Sequence, residues 1–279
     1  MAYSAEISRG NPTCFVFLID QSGSMADVFG GGEGTQRKAD GVADAINRML
    51  QNLVIKCAKE EGIRDFFHIG VIGYGTQVGP AFAGALAGRP LVPISEVGNS
   101  PARVEQRTKK VPDGAGGIVD QPVRFPVWFE PVANGATPMI QALVQAKAIV
   151  ENWLSQHPNC FPPIVINITD GEATDGDPIN AASEIQKLKS NDGGVLVFNV
   201  HLSSQRGAQI EYPSNSEVLP DKFGQQLFQM SSPLPDSMLN IAKKESMNAG
   251  AGSRGFVFNA DMVAVIKFLD IGTRPSALR

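Results

Sequence analysis

The stretch CFVFLIDQSGSMAD, residues 14–27, sets an apolar run of strand length directly against an aspartate and two serines at alternate positions. CFVFLID is apolar throughout, as a strand buried on both faces must be. Beyond the loop the period changes to that of a helix, with Val42, Ile46, Met49, Leu50, Leu53 and Cys57 on one face. The alternation continues to the end of the chain. FFHIGVIGYG (66–75), PPIVINITD (162–170), GVLVFNVHL (194–202) and RGFVFNA (254–260) read as strands. TPMIQALVQAKAIVENWL (137–154), PDSMLNIAKKESM (235–247) and a closing segment around DMVAVIKFL read as helices, with Pro138 at a tolerated first-turn position. Strands separated by helices call for a doubly wound α/β fold, a mostly parallel central sheet with helices on both faces.

Two segments break the rhythm. Residues 82–131 are rich in Gly and Pro and carry a charged piece, ARVEQRTKK, and a weak strand, RFPVWFEPV. Residues 203–234 contain YPSNSEVLP and SSPLP. The strands on either side continue one series, so both are expected as insertions into a single domain spanning 1–279.

Bulk properties exclude several functions. At 279 residues and 43% hydrophobic, the chain can bury its own core. A formal charge of −4 offers no basic excess for phosphate backbones, which argues against nucleic acid as a partner. Cys14, Cys57 and Cys160 are odd in number and far apart in sequence, suiting neither a disulfide framework nor a zinc site. No apolar run reaches membrane-spanning length and the N-terminus does not read as a signal peptide, so a soluble, cytoplasmic protein with no membrane partner is expected.

In an open parallel sheet, ligands sit beyond the carboxyl ends of the strands. Asp20 and Asp170 each occupy such an end. Asp20, Ser22 and Ser24 alternate along one loop whose Gly23 permits a tight curl, so their oxygens can converge. Carboxylates and hydroxyls without nitrogen or sulfur suit Mg²⁺, Ca²⁺ or Mn²⁺ far better than zinc. The constellation reads as a divalent-cation site.

These residues carry a resemblance. DQSGSM, with Asp20, Ser22 and Ser24, is similar to the DxSxS motif of the von Willebrand factor A family; Thr137 in NGATPM resembles that family's isolated threonine, and Asp170 in NITDGE its final aspartate. All five positions of the family's metal-ion-dependent adhesion site are thus matched, in order, over about residues 12–272. The resemblance implies that the two serines ligate Mg²⁺ directly, that Thr137 and Asp170 exchange direct and water-mediated contact, and that Asp20 holds metal-bound water and the loop. It also implies function: a non-enzymatic protein-binding module whose cation captures an Asp or Glu of a partner. Gln21, Met25, Asn134 and Glu172, the sequence neighbours of these positions, are expected to form the partner-binding rim. Intracellular members of that family include subunits that work with ring ATPases and small bacterial proteins of the tellurite-resistance type found alongside kinases and phosphatases; the ending RGFVFNADMVAVIKFLDIGTR resembles the second group, so a kinase, a phosphatase or a ring ATPase is the expected class of partner.

Blander readings apply elsewhere. His68, His157 and His201 are dispersed and read as structural, and they supply no triad for acyl transfer. Trp128 and Phe129 read as packing of the insertion, and GGGEGTQRK (30–38) as a flexible turn, since it lacks the GK[ST] ending of a phosphate loop. The enzyme alternative is an Mg²⁺-dependent phosphoryl transferase, because paired strand-terminal aspartates also resemble haloacid dehalogenase-type enzymes. Those place a carboxylate two residues after the nucleophile, where this chain has Ser22.

Overall fold

The structure, a computed structural model, describes residues 3–28, 36–112, 117–202, 207–244 and 247–272. Most of the turn expected at 30–38 therefore falls outside the described residues, as do 203–206 of the second expected insertion. The chain runs through β1 (Thr13–Asp20), α1 (Lys38–Cys57), β2 (Phe67–Tyr74), β3 (Val78–Pro80), β4 (Val92–Pro93), α2 (Ile94–Asn99), β5 (Arg103–Pro112) and β6 (Ile118–Val127). It continues through α3 (Met139–Gln156), β7 (Ile164–Thr169), α4 (Ile179–Gln186), β8 (Leu196–Leu202), β9 (Ile210–Glu211), α5 (Lys222–Met230), α6 (Asp236–Lys244), β10 (Phe256–Ala260) and α7 (Met262–Gly272).

One eight-stranded sheet runs in the order β9, β10, β8, β7, β1, β2, β3, with β4 also on the outer edge of β2. The five central strands are parallel, and β3, β4 and β9 add antiparallel edges. All eight residues of β1 are buried, and successive side chains divide between two cores. Phe15, Phe17 and Ile19 join Val42 and Ile46 of α1 and Val265 and Phe268 of α7. Cys14, Val16 and Leu18 join Leu143 and Val150 of α3, Ile185 of α4 and Leu227 of α5. This is the period-two division that a strand covered on both faces requires. From β1 the chain goes to β2 on one side, then crosses to β7 on the other. The sheet therefore has its topological switch point between the carboxyl ends of β1 and β7, where crevices open in this class of fold.

The first departing segment is more ordered than its composition suggests. Within 82–131 the chain forms β4, α2 and a ten-pair antiparallel hairpin of β5 and β6. The hairpin lies against α1. Arg107 binds Asp44 at 2.9 Å and stacks 3.6 Å over the Phe125 ring. Asn47, 2% exposed, donates to Phe129 O at 2.8 Å and accepts from the backbone N–H groups of Trp128 and Phe129 at 2.8 and 3.0 Å. Trp128 and Phe129 are buried, and the Trp128 indole N–H bonds Val97 O at 2.6 Å. Within 203–234 the chain forms the edge strand β9 and helix α5, whose N-terminus is capped by Asp221 accepting from Gly224 N–H at 2.7 Å. Both segments are expected from sequence as insertions, the first with one weak strand; backbone pairing and capping order more of each than that reading shows.

A candidate cation site at the sheet's switch point

Asp20 closes β1 and is wholly buried. Its Oδ1 accepts from the Ser22 N–H at 2.8 Å and its Oδ2 from the Thr169 hydroxyl at 2.7 Å. The first bond curls the DQSGS loop back over the strand end; the second ties β1 to β7 across the switch point. Burial pushes the Asp20 carboxyl up to about 6; the bonds from Ser22 and Thr169 act against that rise, and the Asp170 charge adds to it. The site is rich in negative charge at its floor.

Ser22 and Ser24 stand next. Their hydroxyls are 3.1 Å apart, and Ser24 Oγ donates to Asp170 Oδ1 at 2.7 Å. Ser22 is 3% exposed, while Ser24 lies at the surface, so the two form a step from floor to rim. Asp170, the first residue after β7, turns its other oxygen to the ammonium of Lys38, a bonded ion pair from the first residue of α1. Lys38 is 2% exposed, and its Nζ is also 3.9 Å from Oδ2 of the exposed Asp27.

Thr137 reaches the site through two loops that hold each other. Its backbone N–H donates to Thr174 Oγ1 at 3.1 Å, and Thr174 N–H returns a bond to Thr137 O at 2.9 Å. Asp175 accepts from the N–H groups of Ile140 and Gln141 at 3.1 and 3.0 Å, capping the start of α3 from the neighbouring loop. A methyl group added at Gly171 would stand 3.9 Å from Thr137 Oγ1, which places that hydroxyl beside the residue after Asp170. The loop before Thr137 is knitted to the DQSGS loop by Gly23 N–H to Gly135 O at 3.0 Å and Asn134 N–H to Gln21 O at 2.6 Å. Gly135 has φ +95°, and a Cβ there would meet Thr76 N at 2.4 Å, so the approach needs glycine.

Asp20, Ser22, Ser24 and Asp170 thus share one hydrogen-bonded cluster, with Thr137, 5% exposed, at its side. Of the expected rim, Asn134 and Glu172 are exposed and Gln21 is half-buried. Met25 corrects the expectation. The short 3-10 turn Gly23–Ala26 rolls its side chain inward, where it is wholly buried in the core shared with α1, out of reach of a partner.

The sequence reading did not include Lys38 or Thr169. Lys38 sits four residues before Val42, on the apolar stripe of α1, and a charge on such a stripe was the available signal. Thr169 directly precedes Asp170 at a strand end. Beneath the site a buried polar relay crosses the sheet. Tyr74 donates to Asn167 Oδ1 at 2.6 Å, Asn167 to Asn199 Oδ1 at 3.0 Å, and Asn199 to Ser231 Oγ at 2.9 Å. Two of the dispersed histidines meet at the other end of β2, where His157 stacks on Trp153 with centroids 3.7 Å apart and His68 lies 4.6 Å from the same ring. Cys14, Cys57 and Cys160 are free and buried. Among the described residues no group of three or more His, Cys, Asp or Glu is placed to hold a metal, so any cation here must rely on hydroxyls beside its two carboxylates.

No protein-family profile matches the chain, and neither does any curated protein. Among solved structures, the PilB minor pilin from Streptococcus sanguinis is similar at 13% identity and TM-score 0.47, over 96% of this chain and 61% of that one. The vWF domain of the type V pili tip protein Mfa5 from Porphyromonas gingivalis is similar at 14% identity and TM-score 0.30, over 58% of this chain and 39% of that one. This chain spans less than two thirds of the length of either. Among the described residues no helix is long and apolar enough to cross a membrane.

Proposed function

We propose that this chain is a non-catalytic, protein-binding module of von Willebrand factor A type, which holds a Mg²⁺-class cation between Asp20, Ser22, Ser24, Thr137 and Asp170. Mn²⁺ and Ca²⁺ are the other ions this donor set would take. The observation that carries the reading is the convergence of Asp20, Ser22, Ser24 and Asp170 into one bonded cluster at the switch point of the sheet. The candidate ligands are all hard oxygens, and the one ammonium at the site, Lys38, bonds Asp170 and leaves the wholly buried Asp20 carboxylate without a cationic partner of its own; both features fit a hard cation. When bound, such an ion supplies a positive centre with an open position for a partner's carboxylate.

The chain's own residues do the positioning. Asp20, through the Ser22 amide, fixes the loop so that two neutral hydroxyls stand 3.1 Å apart beside Asp170, and neutral donors leave an ion's charge uncancelled. Thr174 holds Thr137 through its backbone N–H, and Asp175 holds the start of α3 just after it, which keeps the Thr137 loop beside the loop that Asp170 begins. Asn134 and Glu172 stand exposed beside the opening and are proposed as partner contacts.

Phosphoryl transfer of the haloacid dehalogenase type is less well supported. A nucleophilic Asp20 would need a free oxygen, yet both are bonded and the residue is 0% exposed. The lysine at the site bonds Asp170, the other carboxylate. For subgroup and partner, the resemblance of residues 254–274 to intracellular tellurite-resistance-type proteins favours a kinase or phosphatase as partner over the ring ATPase of other intracellular members, and a cytoplasmic setting, with which three free, buried cysteines agree.

Isothermal titration calorimetry with MgCl₂ on the wild type and on Ser22→Ala plus Ser24→Ala tests the site. Binding heat in the wild type alone is the expected result. Absence of binding by the wild type to Mg²⁺, Mn²⁺ and Ca²⁺ alike rejects the proposal, and Asp20-dependent hydrolysis of a generic phosphate ester rejects its non-catalytic part.

A further inference from the structure

Lys38 begins α1 on the face that otherwise feeds the core, and it is 2% exposed. Burying an ammonium is costly unless it is paired, and its pairing is unusual in position: it bonds Oδ2 of Asp170, a residue of the candidate cation site. Ser24 bonds Oδ1 of the same carboxylate at 2.7 Å. Both oxygens of Asp170 are therefore engaged by the chain itself. A second carboxylate stands within reach, since Asp27 Oδ2 is 3.9 Å from Lys38 Nζ and its side chain is 59% exposed. The two residues are also joined directly through their main chains, with the Lys38 N–H donating to Asp27 O at 2.8 Å. A short swing of the lysine side chain would exchange a buried carboxylate for an exposed one while α1 stayed in place.

We infer that Lys38 is a tethered counter-ion of the cation site, resting on Asp170 and handed to Asp27 when a divalent cation arrives, so that it sets how tightly this chain holds metal. The inference rests on the cation-site reading above. Its physical basis is competition. An ammonium and a divalent cation draw on the same carboxylate, and held side by side in a buried site they repel. Lys38 thus weakens divalent binding, and Asp27 lessens that penalty by receiving the displaced charge. A structural ion pair would have no reason to respond to metal.

The test uses the full chain and Mn²⁺, with free Mn²⁺ counted by electron paramagnetic resonance. Lys38→Met keeps most of the stem and removes the charge, and it should tighten Mn²⁺ binding roughly tenfold or more. Asp27→Asn should weaken binding in the wild type and have no effect in the Lys38→Met background. Equal or weaker binding by Lys38→Met would overturn the role of Lys38 while leaving the cation site standing. No Mn²⁺ binding by either wild type or Lys38→Met would overturn the site and this role together. Should Lys38→Met fail to fold, the wild type answers alone: reductive methylation read by mass spectrometry should label Lys38 faster in saturating Mg²⁺ than in EDTA. Equal labelling in the two conditions would overturn the inference.

Discussion

Replacing Asp20 by asparagine should make the metal-free protein more stable at pH 7.5 and less stable at pH 4. Asp20 is wholly buried and its carboxyl is pushed from 3.8 up to about 6. A folded-state value above the unfolded one means that the folded chain favours the protonated acid. The stability tied to that proton is present below the unfolded value and lost as pH rises through about 6. At pH 7.5 the buried charge therefore costs about 3 kcal/mol, the rise converted at about 1.4 kcal/mol per pH unit. Asparagine removes that cost. Its Oδ1 still accepts from the Ser22 N–H, and its Nδ2 can donate to Thr169 Oγ1, whose proton turns to Gly171 O at 3.1 Å. The exchange should forfeit about 1 kcal/mol of hydrogen bonding. The net is a gain of about 2 kcal/mol at pH 7.5, or about 4 °C in melting temperature for a chain of this size, and a loss of about 0.5 kcal/mol at pH 4, where the unfolded carboxyl is still partly ionised. Melting curves in EDTA at both values, followed by circular dichroism, read it directly. An asparagine variant that melts below the wild type at pH 7.5 would show that the Asp20 charge is not the strain described. In Mg²⁺ the wild type should recover stability and the variant should not.

Other outcomes follow from the same geometry. Ser22→Ala plus Ser24→Ala should erase the Mg²⁺-dependent gain in stability, about 1.4 kcal/mol at ten times Kd for the wild type, without raising the metal-free melting temperature; calorimetric scans with Mg²⁺ and EDTA check both halves. A genuine partner should be released by EDTA and lost when its own metal-contacting Asp or Glu is changed to Ala, as a pull-down will show. Shortening the β5–β6 hairpin beyond Arg107 and Val123 should leave Mg²⁺ affinity nearly intact while weakening the partner complex, and equal loss of both would make the hairpin structural. His201 is buried against Phe258 at 4.6 Å and pushed down to about 4, mainly by burial, so it stays neutral in the fold. Its contribution to stability is whole above pH 6.5 and declines as pH falls toward 4; His201→Gln should flatten that acid limb of a urea-melt pH profile by about 3 kcal/mol.

How much of this was legible in the sequence depended on whether a residue's environment left a periodic trace. β1 is buried on both faces and reads as an unbroken apolar run; β7 does the same and also ends at an aspartate, so the sheet and the two carboxylates at its switch point could be found together. The β5–β6 hairpin was legible only as a weak strand at the base of β6, where Phe125 and Val127 are buried; the rest is an exposed ribbon with no core face to write an alternation, ordered by main-chain pairing plus Asn47 and Arg107. Helix α5 is nine residues long, and Pro- and Ser-rich sequence around it masks its cap at Asp221. Met25 was misplaced by its neighbours: it follows an exposed serine, yet one 3-10 turn rotates successive side chains by about 120° and sends it under α1. Lys38 and Asn47 lie at the opposite extreme, polar residues on or beside the apolar stripe of α1, where periodicity alone reads a polar residue as solvated. Both are 2% exposed, and both are held by partners 80 or more residues away, Asn47 by the backbone at Trp128 and Phe129, Lys38 by Asp170. Such residues break a local rule at a cost that only a distant contact can offset, and sequence-local reasoning sees the breach without the compensation. In this chain one of the two breaches secures the hairpin, and the other puts an ammonium on a carboxylate of the cation site.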